Sequence, residues 1–572
     1  MSLALSKRLG LDRVPVAAWA LGAYACLSIA LYGHAVLADP AHIVVGSGPQ
    51  PQFFGRDQSA FVWFLAYFAH AASHLQNPLV THAVFVPRGY DLAWAAAIPG
   101  PSLLLMPLTL VAGPIVSYDV LALAAPAVAA WCTFLLARQL TARAAPAFAG
   151  GLLFGFGTYE TINHVNLALV AMLPLAALLV LRRRAGLTSR RRFIAALGAI
   201  LALQLWTSSE VLASMVGFGV VAFALAAVIG GRSRWAQTRT LAIETLVALV
   251  PAIALGAPFL YYSLRYPNPI AQVNAAGSGA DLANFVIPTP ASLLNTTGFY
   301  AHTARHLYGN LTEQAAYLGV PLLVLLAGFA VSFRTRPAGR LLVGVFAIAA
   351  ITSLGSTVVV DGHWSGVTMP WSALDQLPLL RYASPTRFVV YAWLAAAVAL
   401  ACWLTLATHS RWRWALAVLA LAAVAPNAAG LRWGTRVDSP PLLAGARLAH
   451  YVPRGAVVLA LPFGMYGDSM FWQVEAHFDF RLAGGYLGSS LPSGYSKHGH
   501  VIHELEDFTA PSGPIKQELC ALIRYTRSSV ILLRDRRPGA WGRLLGPLQI
   551  APIHAGGFAI YELGTRAGAC GL

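Results

Sequence analysis

Apolar runs of membrane-spanning length, separated by short arginine clusters, make up most of this chain. Hydrophobic residues account for 57% of its 572 residues and charged residues for only 11%, and the mean hydropathy is +0.63. A water-soluble globule of this size could not cover so much apolar surface with polar side chains. The sequence therefore predicts an all-α polytopic membrane protein.

The net charge of +17 reflects membrane topology in this chain. Its arginines cluster between apolar runs, as in RRRAGLTSRRR (182–192) and GGRSRWAQTR (230–239). Cytoplasmic loops of membrane proteins carry such clusters, whereas a nucleic-acid-binding protein gathers its basic residues on one binding face. We therefore expect the lipid bilayer, and no nucleic acid, as a partner.

Positive-inside alternation predicts the topology. Arg8 and Arg13 place the N-terminus in the cytoplasm, and the apolar run of about 24 residues that follows is too long for a cleaved signal peptide. We interpret it as a retained anchor. On this topology the first loop, the segments 262–316 and 361–386, and the tail all lie outside the cytoplasm. Alternation predicts about eleven spans, at residues 14–37, 118–138, 144–158, 166–181, 193–208, 211–229, 240–260, 317–333, 340–356, 388–407 and 413–430.

Two further apolar segments, both in the first external loop, do not fit as crossings. The segment 99–114 begins and ends on the same side and has about 14 residues between prolines, whereas a crossing helix needs about 20. The segment 58–75 repeats its large apolar residues at helical spacing, as an amphipathic surface helix does. We expect both segments to form juxtamembrane helices.

The tail differs in character from the rest of the chain. Short apolar runs such as AVVLALP and SVILLRD predict buried strands, and EDFTAPSGPIKQELCALIRYT predicts a helix. We therefore divide the chain into a membrane module, 1–437, and a small extracytoplasmic α/β domain, 438–572.

The order of these features resembles a known superfamily. A first span, an external acidic motif, two juxtamembrane helices, an arginine-stopped span and a return span are similar to the polyprenyl-phosphate-sugar glycosyltransferases of the GT-C superfamily, including its protein mannosyltransferase-like bacterial members. Further similarity lies in residues 118–175, in EQAAYLGVPLLVLL (313–326) and in LPLLRYASPTRFVV (377–390), and the resemblance extends from residue 14 to about residue 408. It implies an enzyme of the bacterial plasma (inner) membrane that moves a sugar from a polyprenyl-phosphate donor to a glycan, lipid or protein acceptor outside the cytoplasm.

The resemblance assigns the general base to Asp57. In such enzymes an aspartate of the first external loop deprotonates the acceptor hydroxyl, and Asp57 in FFGRDQSAFVWF is the matching position. The lipid phosphate is already a good leaving group, so one carboxylate is enough, and attack opposite the phosphate inverts the anomeric centre. The alternative for Asp57 is a helix N-cap, because an aspartate at a helix start accepts backbone N–H bonds.

Cationic side chains of the outer loops are the candidates for binding the donor phosphate. Arginine outside the cytoplasm is an exception to the positive-inside bias, and we single out Arg381, Arg387, Arg305 and His302, with His306 beside them. The alternative for Arg381 and Arg387 is electrostatic anchoring to anionic lipid head groups.

Three further residues are candidates for an acceptor-binding or second-acid site. Glu160 and His164 follow the third span in YETINHVN, and Asp91 lies in the first loop. The alternative for the first two is an ordinary polar loop, and for Asp91 it is an interfacial position.

The sequence assigns no cofactor and no metal ligand, and it leaves a divalent metal open. The tail segment HGHVIH (498–503) lacks the helical pair of histidines with a third ligand that a zinc site uses. The five cysteines show no metal-ligand spacing, and three of them lie within apolar spans. Only Cys520 and Cys570 are placed to pair.

Two rival functions come from other classes. A transporter or flippase of lipid-linked glycans would line a path across the bilayer with charged groups, whereas this chain has few mid-span charges, Glu244 among them, and no evident inverted repeat. A non-catalytic envelope assembly protein would share the fold and lack the chemistry.

Overall fold

The computed structural model describes residues 14–46, 57–163, 165–265, 279–376, 380–428, 434–443, 445–488, 491–507, 515–534, 540–563 and 570. Helical residues make up 66% of the structure, which confirms the prediction of a mainly helical protein. Residue contacts divide the chain into two compact units, which are described separately. The helical unit contains Met1–Ala35, Val120–Ala257 and Gln272–Trp433, and the mixed unit contains Val36–Asp119, Pro258–Ala271 and Gly434–Leu572. The predicted domain boundary between residues 437 and 438 stays a prediction.

Helices occupy the positions of the predicted spans. The α-helices there are Val14–Tyr32, His34–Ala38, Pro114–Thr141, Ala144–Gly155, Thr158–Ile162, Val165–Ala168, Met172–Arg184, Arg190–Thr207, Ser209–Val247, Leu249–Arg265, Val320–Phe333, Pro337–Ser353, Val389–Thr405 and Arg411–Ala423. Within the described residues, five stretches are long and apolar enough to cross a membrane: Pro15–Tyr32, Pro114–Thr141, Val165–Arg184, Ser209–Arg265 and Pro385–Thr405. They support a multi-pass membrane protein, and the count of eleven spans stays a prediction.

The long stretch Ser209–Arg265 contains a break at the place where the sequence separates two spans. Helix Ser209–Val247 is interrupted at Gly231, whose φ of 59° and ψ of −164° are not helical. Glycine adopts a positive φ without the steric cost that a side chain would impose. The break therefore falls between the predicted spans 211–229 and 240–260.

Helix Val389–Thr405 is central to the packing of the helical unit. Fourteen of its 17 residues are buried, and it packs against Ala144–Gly155 and Pro337–Ser353. Gly150 permits the close approach of the first pair, because a Cβ there would lie 2.8 Å from a main-chain carbonyl oxygen of the neighbouring helix. Arg387 lies two residues before the start of this helix, in the turn Pro385–Phe388.

A mixed sheet of five strands, among the described residues, forms the C-terminal part of the mixed unit. Its order is Ile553–Ala555, Phe558–Glu562, Val530–Leu533, Val457–Leu461 and Arg481–Leu482. Val457–Leu461 is parallel to both of its neighbours, and the other pairs are antiparallel. The two central strands are wholly buried, as their continuous apolar sequences predict. The accompanying α-helices are Ser469–Glu475, Gly499–Asp507, Ile515–Thr526 and Ala540–Leu545.

Cys520 and Cys570 form a disulfide that joins helix Ile515–Thr526 to the C-terminal end of the chain. Their Cα atoms lie 5.2 Å apart. The predicted pairing is confirmed.

The first loop belongs to the mixed unit together with the tail. Strand Ile43–Val45 pairs with Gly434–Arg436, and Val80–Thr81 pairs with Tyr90–Asp91. Residues 83–86 also bond to the tail through the backbone: the N–H of residue 482 donates to the carbonyl of residue 83 at 2.8 Å. Backbone hydrogen bonds thus join the first loop to the tail.

Helix Asp57–Ser73, hereafter the Asp57 helix, lies where the sequence predicts a helix but has no exposed polar face over most of its length. Thirteen of its 17 residues are buried, and it packs against helix Ser469–Glu475. Within this core Trp63 Nε1 donates to Gln473 Oε1 at 2.7 Å. The prediction of an amphipathic surface helix was wrong, because apolar spacing alone does not distinguish a face toward lipid from a face toward protein.

The second juxtamembrane segment forms two short helices, Pro99–Leu104 and Met106–Ala112. At about 1.5 Å per residue each is far shorter than a bilayer. Leu104 and Val111 are largely exposed, at 76% and 88%. This apolar exposure fits the predicted position in the membrane interface, which stays a prediction.

Candidate active site

Asp57 is the first residue of the Asp57 helix and is half-buried. Its Oδ1 accepts a hydrogen bond from the hydroxyl of Tyr486, which lies in the tail, at 2.5 Å. The N-terminus of a helix carries partial positive charge and favours an ionised carboxylate. The position of Asp57 at the helix start is expected for a general base and for a helix cap alike.

A second carboxylate, Asp119, lies in the same part of the mixed unit. Its Oδ1 accepts the N–H of Val45 at 2.8 Å, and its Oδ2 is buried without a hydrogen-bond partner in the described residues. The phenol of Tyr118 is within electrostatic reach of both Asp119 and Asp57. Sequence reasoning placed Asp119 outside the cytoplasm but did not single it out. The signal available was an acid at the start of an apolar run in a chain with 22 Asp plus Glu.

Tyr486 was also missed by sequence reasoning. Burial, and then the neighbouring Asp57 carboxylate, raise the pKa of the Tyr486 phenol well above its usual value. The phenol therefore keeps its proton at neutral pH and acts as a donor to Asp57. No local sequence pattern marks this residue, because its partner is 429 positions away.

Arg387 lies in the helical unit and forms an ion pair with Glu210 through its Nη1. The two side chains are 38% and 27% exposed, so the pair is accessible from a small cleft that Tyr159 and Ser214 also line. The second oxygen of Glu210 is buried with no hydrogen-bond partner among the described residues. Sequence reasoning favoured an ordinary interfacial position for Glu210, and the structure makes it the counter-ion of Arg387.

His302 and Arg305 are exposed, on and just after helix Gly298–Thr303. The rings of His302 and His306 lie 5.6 Å apart. In the described part of the chain, no hydrogen bond, ion pair or ring contact joins this group to Arg387. The backbone of Arg381 is in the short turn Leu380–Tyr382, and its side chain lies outside what the structure describes.

Asp281 fixes the loops that carry His302 and Arg305. Its buried carboxylate accepts four backbone N–H bonds, at 2.7 to 3.2 Å, from Ala283, Tyr308, Asp361 and Gly362. Buried charges persist only where such partners compensate them. The role of Asp281 is therefore structural, and it ties residues 281–308 to the hairpin near residue 361.

Glu160 is buried in the short helix Thr158–Ile162, and neither of its carboxylate oxygens has a hydrogen-bond partner in the described residues. Burial raises the pKa of Glu160 well above the usual carboxyl value. Burial therefore favours the protonated, neutral form of Glu160. His164 lies outside the described residues.

Asp91 has a structural role in the first loop. Its Oδ1 accepts the N–H of Ala93 at 2.9 Å and caps the turn Leu92–Trp94. Burial raises the pKa of this half-buried carboxyl, and the backbone bond opposes that shift. The cap uses Oδ1, whereas Oδ2 is buried with no hydrogen-bond partner in the described residues, and a contact of Asp91 with the acceptor stays a prediction.

Within the described ranges, no group of three or more His, Cys, Asp and Glu side chains is placed to hold a metal ion. In the tail, His500 Nδ1 instead lies 2.8 Å from Glu518 and His498 packs against the ring of Tyr525. Hydrogen bonding to the Glu518 carboxylate raises the pKa of His500.

Comparison with known proteins identifies the fold. No protein-family model matches the chain, and no curated protein matches it in sequence. Among solved structures, the arabinofuranosyltransferase AftD from Mycobacteria is similar over 97% of this chain, with a TM-score of 0.58 and 14% identity. The chain spans 40% of the length of AftD.

Two archaeal structures show the same similarity. The oligosaccharyltransferase of Archaeoglobus fulgidus in its apo form gives a TM-score of 0.53 and 11% identity, over 91% of this chain and 70% of that one. The oligosaccharyltransferase AglB from Archaeoglobus fulgidus was solved with an inhibitory peptide and a dolichol-phosphate. It gives a TM-score of 0.51 and 11% identity, over 96% of this chain and 74% of that one. These neighbours are GT-C proteins, as the sequence features indicated. The chain therefore has the fold of the GT-C membrane glycosyltransferases.

Proposed function

We propose that this chain is an integral membrane glycosyltransferase that moves a sugar from a polyprenyl-phosphate donor to an extracytoplasmic acceptor with inversion. The observation that carries the proposal is the carboxylate of Asp57, held at the start of a buried helix in a chain of GT-C fold. The dolichol-phosphate in the AglB complex supports a lipid-phosphate donor. A glycan, a lipid or a protein would supply the acceptor hydroxyl.

The reaction is a single displacement. The Asp57 carboxylate takes the proton of the acceptor hydroxyl while that oxygen forms a bond to the anomeric carbon. The bond from the anomeric carbon to the phosphate oxygen breaks, and its electron pair leaves with the polyprenyl phosphate. Attack from the face opposite the phosphate inverts the anomeric centre. The proton then passes from Asp57 to solvent, which restores the base.

Arg387 is the cation we assign to the donor phosphate. A guanidinium has five N–H donors, so it can hold the Glu210 carboxylate and a phosphate oxygen at the same time. Glu210 orients the Arg387 guanidinium and balances its positive charge when no phosphate is bound. Arg381, Arg305 and His302 are proposed as further phosphate contacts, on the strength of their charge and predicted outer location.

Glu160 is proposed as a second acid. A protonated, buried carboxyl can donate a hydrogen bond to the oxygen of the departing phosphate, and neither oxygen of Glu160 has a hydrogen-bond partner among the described residues. His164, four residues further along, and Asp91 are proposed as acceptor contacts.

We propose the bacterial plasma membrane as the location, with the N-terminus in the cytoplasm and the tail outside. The Cys520–Cys570 disulfide supports an extracytoplasmic tail, because such bonds persist in oxidising compartments.

The experiment is complementation of a deletion strain, read by mass spectrometry of its cell-envelope glycans. We expect a sugar to be missing from the deletion strain and restored by the wild-type gene but not by Asp57→Asn at equal expression. The control is Asp479→Asn, which removes a half-exposed carboxylate of the same unit that pairs with Arg454 at 3.5 Å. Full restoration by Asp57→Asn would contradict the proposal, and is the result expected of a flippase or an assembly protein.

A further inference from the structure

The hydrogen bond between Tyr486 and Asp57 joins the tail to the proposed general base. The tyrosine hydroxyl can donate one proton, and the Asp57 Oδ1 accepts it. A tail that served only to gather acceptors would have no need to contact this carboxylate.

The backbone around Tyr486 is held on both sides. Before it, Phe85 N–H donates to the carbonyl of Gly484 at 3.1 Å, which attaches this segment to the first loop. The N–H of Tyr486 itself points to Met470 Sδ at 3.4 Å. Gly485 has a φ of 143°, and a Cβ there would lie 3.3 Å from Val84, so this glycine lets the segment lie close against the first loop. These contacts fix where the phenol ring points.

A hydrogen bond donated to a carboxylate has two consequences for a general base. It restricts rotation of the carboxyl group, so that the lone pair meets the acceptor hydroxyl in one orientation. It also stabilises the ionised form, which is the form that can accept a proton. The Tyr486 phenol is a permanent donor, because burial and the carboxylate itself keep its pKa far above neutral pH.

We propose that Tyr486 is a positioning residue for Asp57, so that the tail is part of the catalytic apparatus. This inference rests on the proposed function, in which Asp57 is the base. It assigns to residues 482–488 of the tail a task in the chemical step itself, separate from any contact with the acceptor.

The test is the pH–rate profile of Tyr486→Phe, measured as sugar transfer by membranes of the complemented strain from its own lipid-linked donors. Removing the hydroxyl keeps the ring and deletes a hydrogen bond to a charged group, so we expect the rate near neutral pH to fall about tenfold to hundredfold. The acidic limb of the profile should move to higher pH, because the base loses a hydrogen bond that favours its ionised form.

Two tyrosines of the same unit serve as controls. The hydroxyl of Tyr525 is buried and has no hydrogen-bond partner in the described residues, so Tyr525→Phe should leave the rate and the profile unchanged. The hydroxyl of Tyr495 lies within hydrogen-bond distance of two carbonyl oxygens, that of Val86, at 2.6 Å, and that of Ala483, so Tyr495→Phe should lower the Tm without moving the acidic limb. A fall in folded protein lowers the rate at every pH and does not shift the limb.

The outcomes separate this inference from the proposed function. Loss of transfer in Asp57→Asn together with a wild-type rate and profile in Tyr486→Phe would overturn the role of Tyr486 alone. Full transfer by Asp57→Asn would overturn both. A lower rate with a shifted acidic limb in Tyr486→Phe, absent from both controls, supports the inference.

Discussion

Gln473→Leu should destabilise the mixed unit by about 2–6 kcal/mol, because this amide is buried between the Asp57 helix and the tail. Its Oε1 accepts from Trp63 at 2.7 Å, and its Nε2 donates to the carbonyls of Ala83 and Phe480, each at 2.9 Å. The Ala83 carbonyl keeps a second donor, the N–H of Leu482. The substitution therefore leaves two polar groups unpaired, and each costs about 1–3 kcal/mol.

The assay is thermal unfolding of the purified protein in detergent, followed by tryptophan fluorescence. A loss of this size should lower the Tm by roughly 5–20 °C for a unit of this size. The matched control is Gln517→Leu, at an exposed position of helix Ile515–Thr526, which should change stability by less than about 0.5 kcal/mol. A Tm for Gln473→Leu within 2 °C of the control would refute the claim that the first loop and the tail share one core.

Three further predictions address the tail, the donor and the buried acid. Reduction of the Cys520–Cys570 bond, which closes a loop of 50 residues, should lower the free energy of unfolding by about 4 kcal/mol. Thiol labelling before and after reduction checks that the bond forms. An equal Tm in the two states would contradict the prediction. Arg387→Met should weaken binding of polyprenyl phosphate by about tenfold or more, measured by native mass spectrometry. Substitution of the exposed Arg454 by Met should leave this binding unchanged. Equal binding by the two variants would show that Arg387 does not hold the phosphate. Burial raises the pKa of Glu160 in the folded protein above its value in the unfolded chain, so stability falls as pH rises above the ordinary carboxyl range. Glu160→Gln should therefore raise the Tm at pH 8 by about 3 °C or more, and a lower Tm would contradict the burial of an unpaired acid.

The sequence predicted those features that depend on local pattern. Apolar runs predicted the helices, the arginine cluster 230–239 predicted the separation of two spans, and the tail's short apolar runs predicted two of its buried strands. The disulfide followed by elimination, because only Cys520 and Cys570 lie outside apolar spans. These inferences needed no knowledge of which segments meet.

The features that were missed depend on contacts between distant segments. The Asp57 helix was expected on the surface, but it packs against helices Pro99–Leu104 and Met106–Ala112 of the first loop and against Ser469–Glu475 of the tail. Apolar periodicity does not identify such partners. Tyr486 is a candidate because it contacts Asp57, 429 positions away in the sequence. Glu210 is a candidate because it contacts Arg387, 177 positions away. Asp91 was a candidate for the site, and its cap on the following turn is a local role that its neighbours in sequence could have indicated.

The most direct test of the central claim is sugar transfer by the purified, reconstituted protein from single synthetic polyprenyl-phosphate pentoses and hexoses to envelope glycolipid. We expect one donor to be used, the product to have the anomeric configuration opposite to the donor, and Asp57→Asn to lower the rate by about a hundredfold or more, since general-base catalysis contributes about 10²–10⁴-fold. Retention of configuration, or a rate for Asp57→Asn equal to the wild-type rate, would contradict a single displacement with Asp57 as the base.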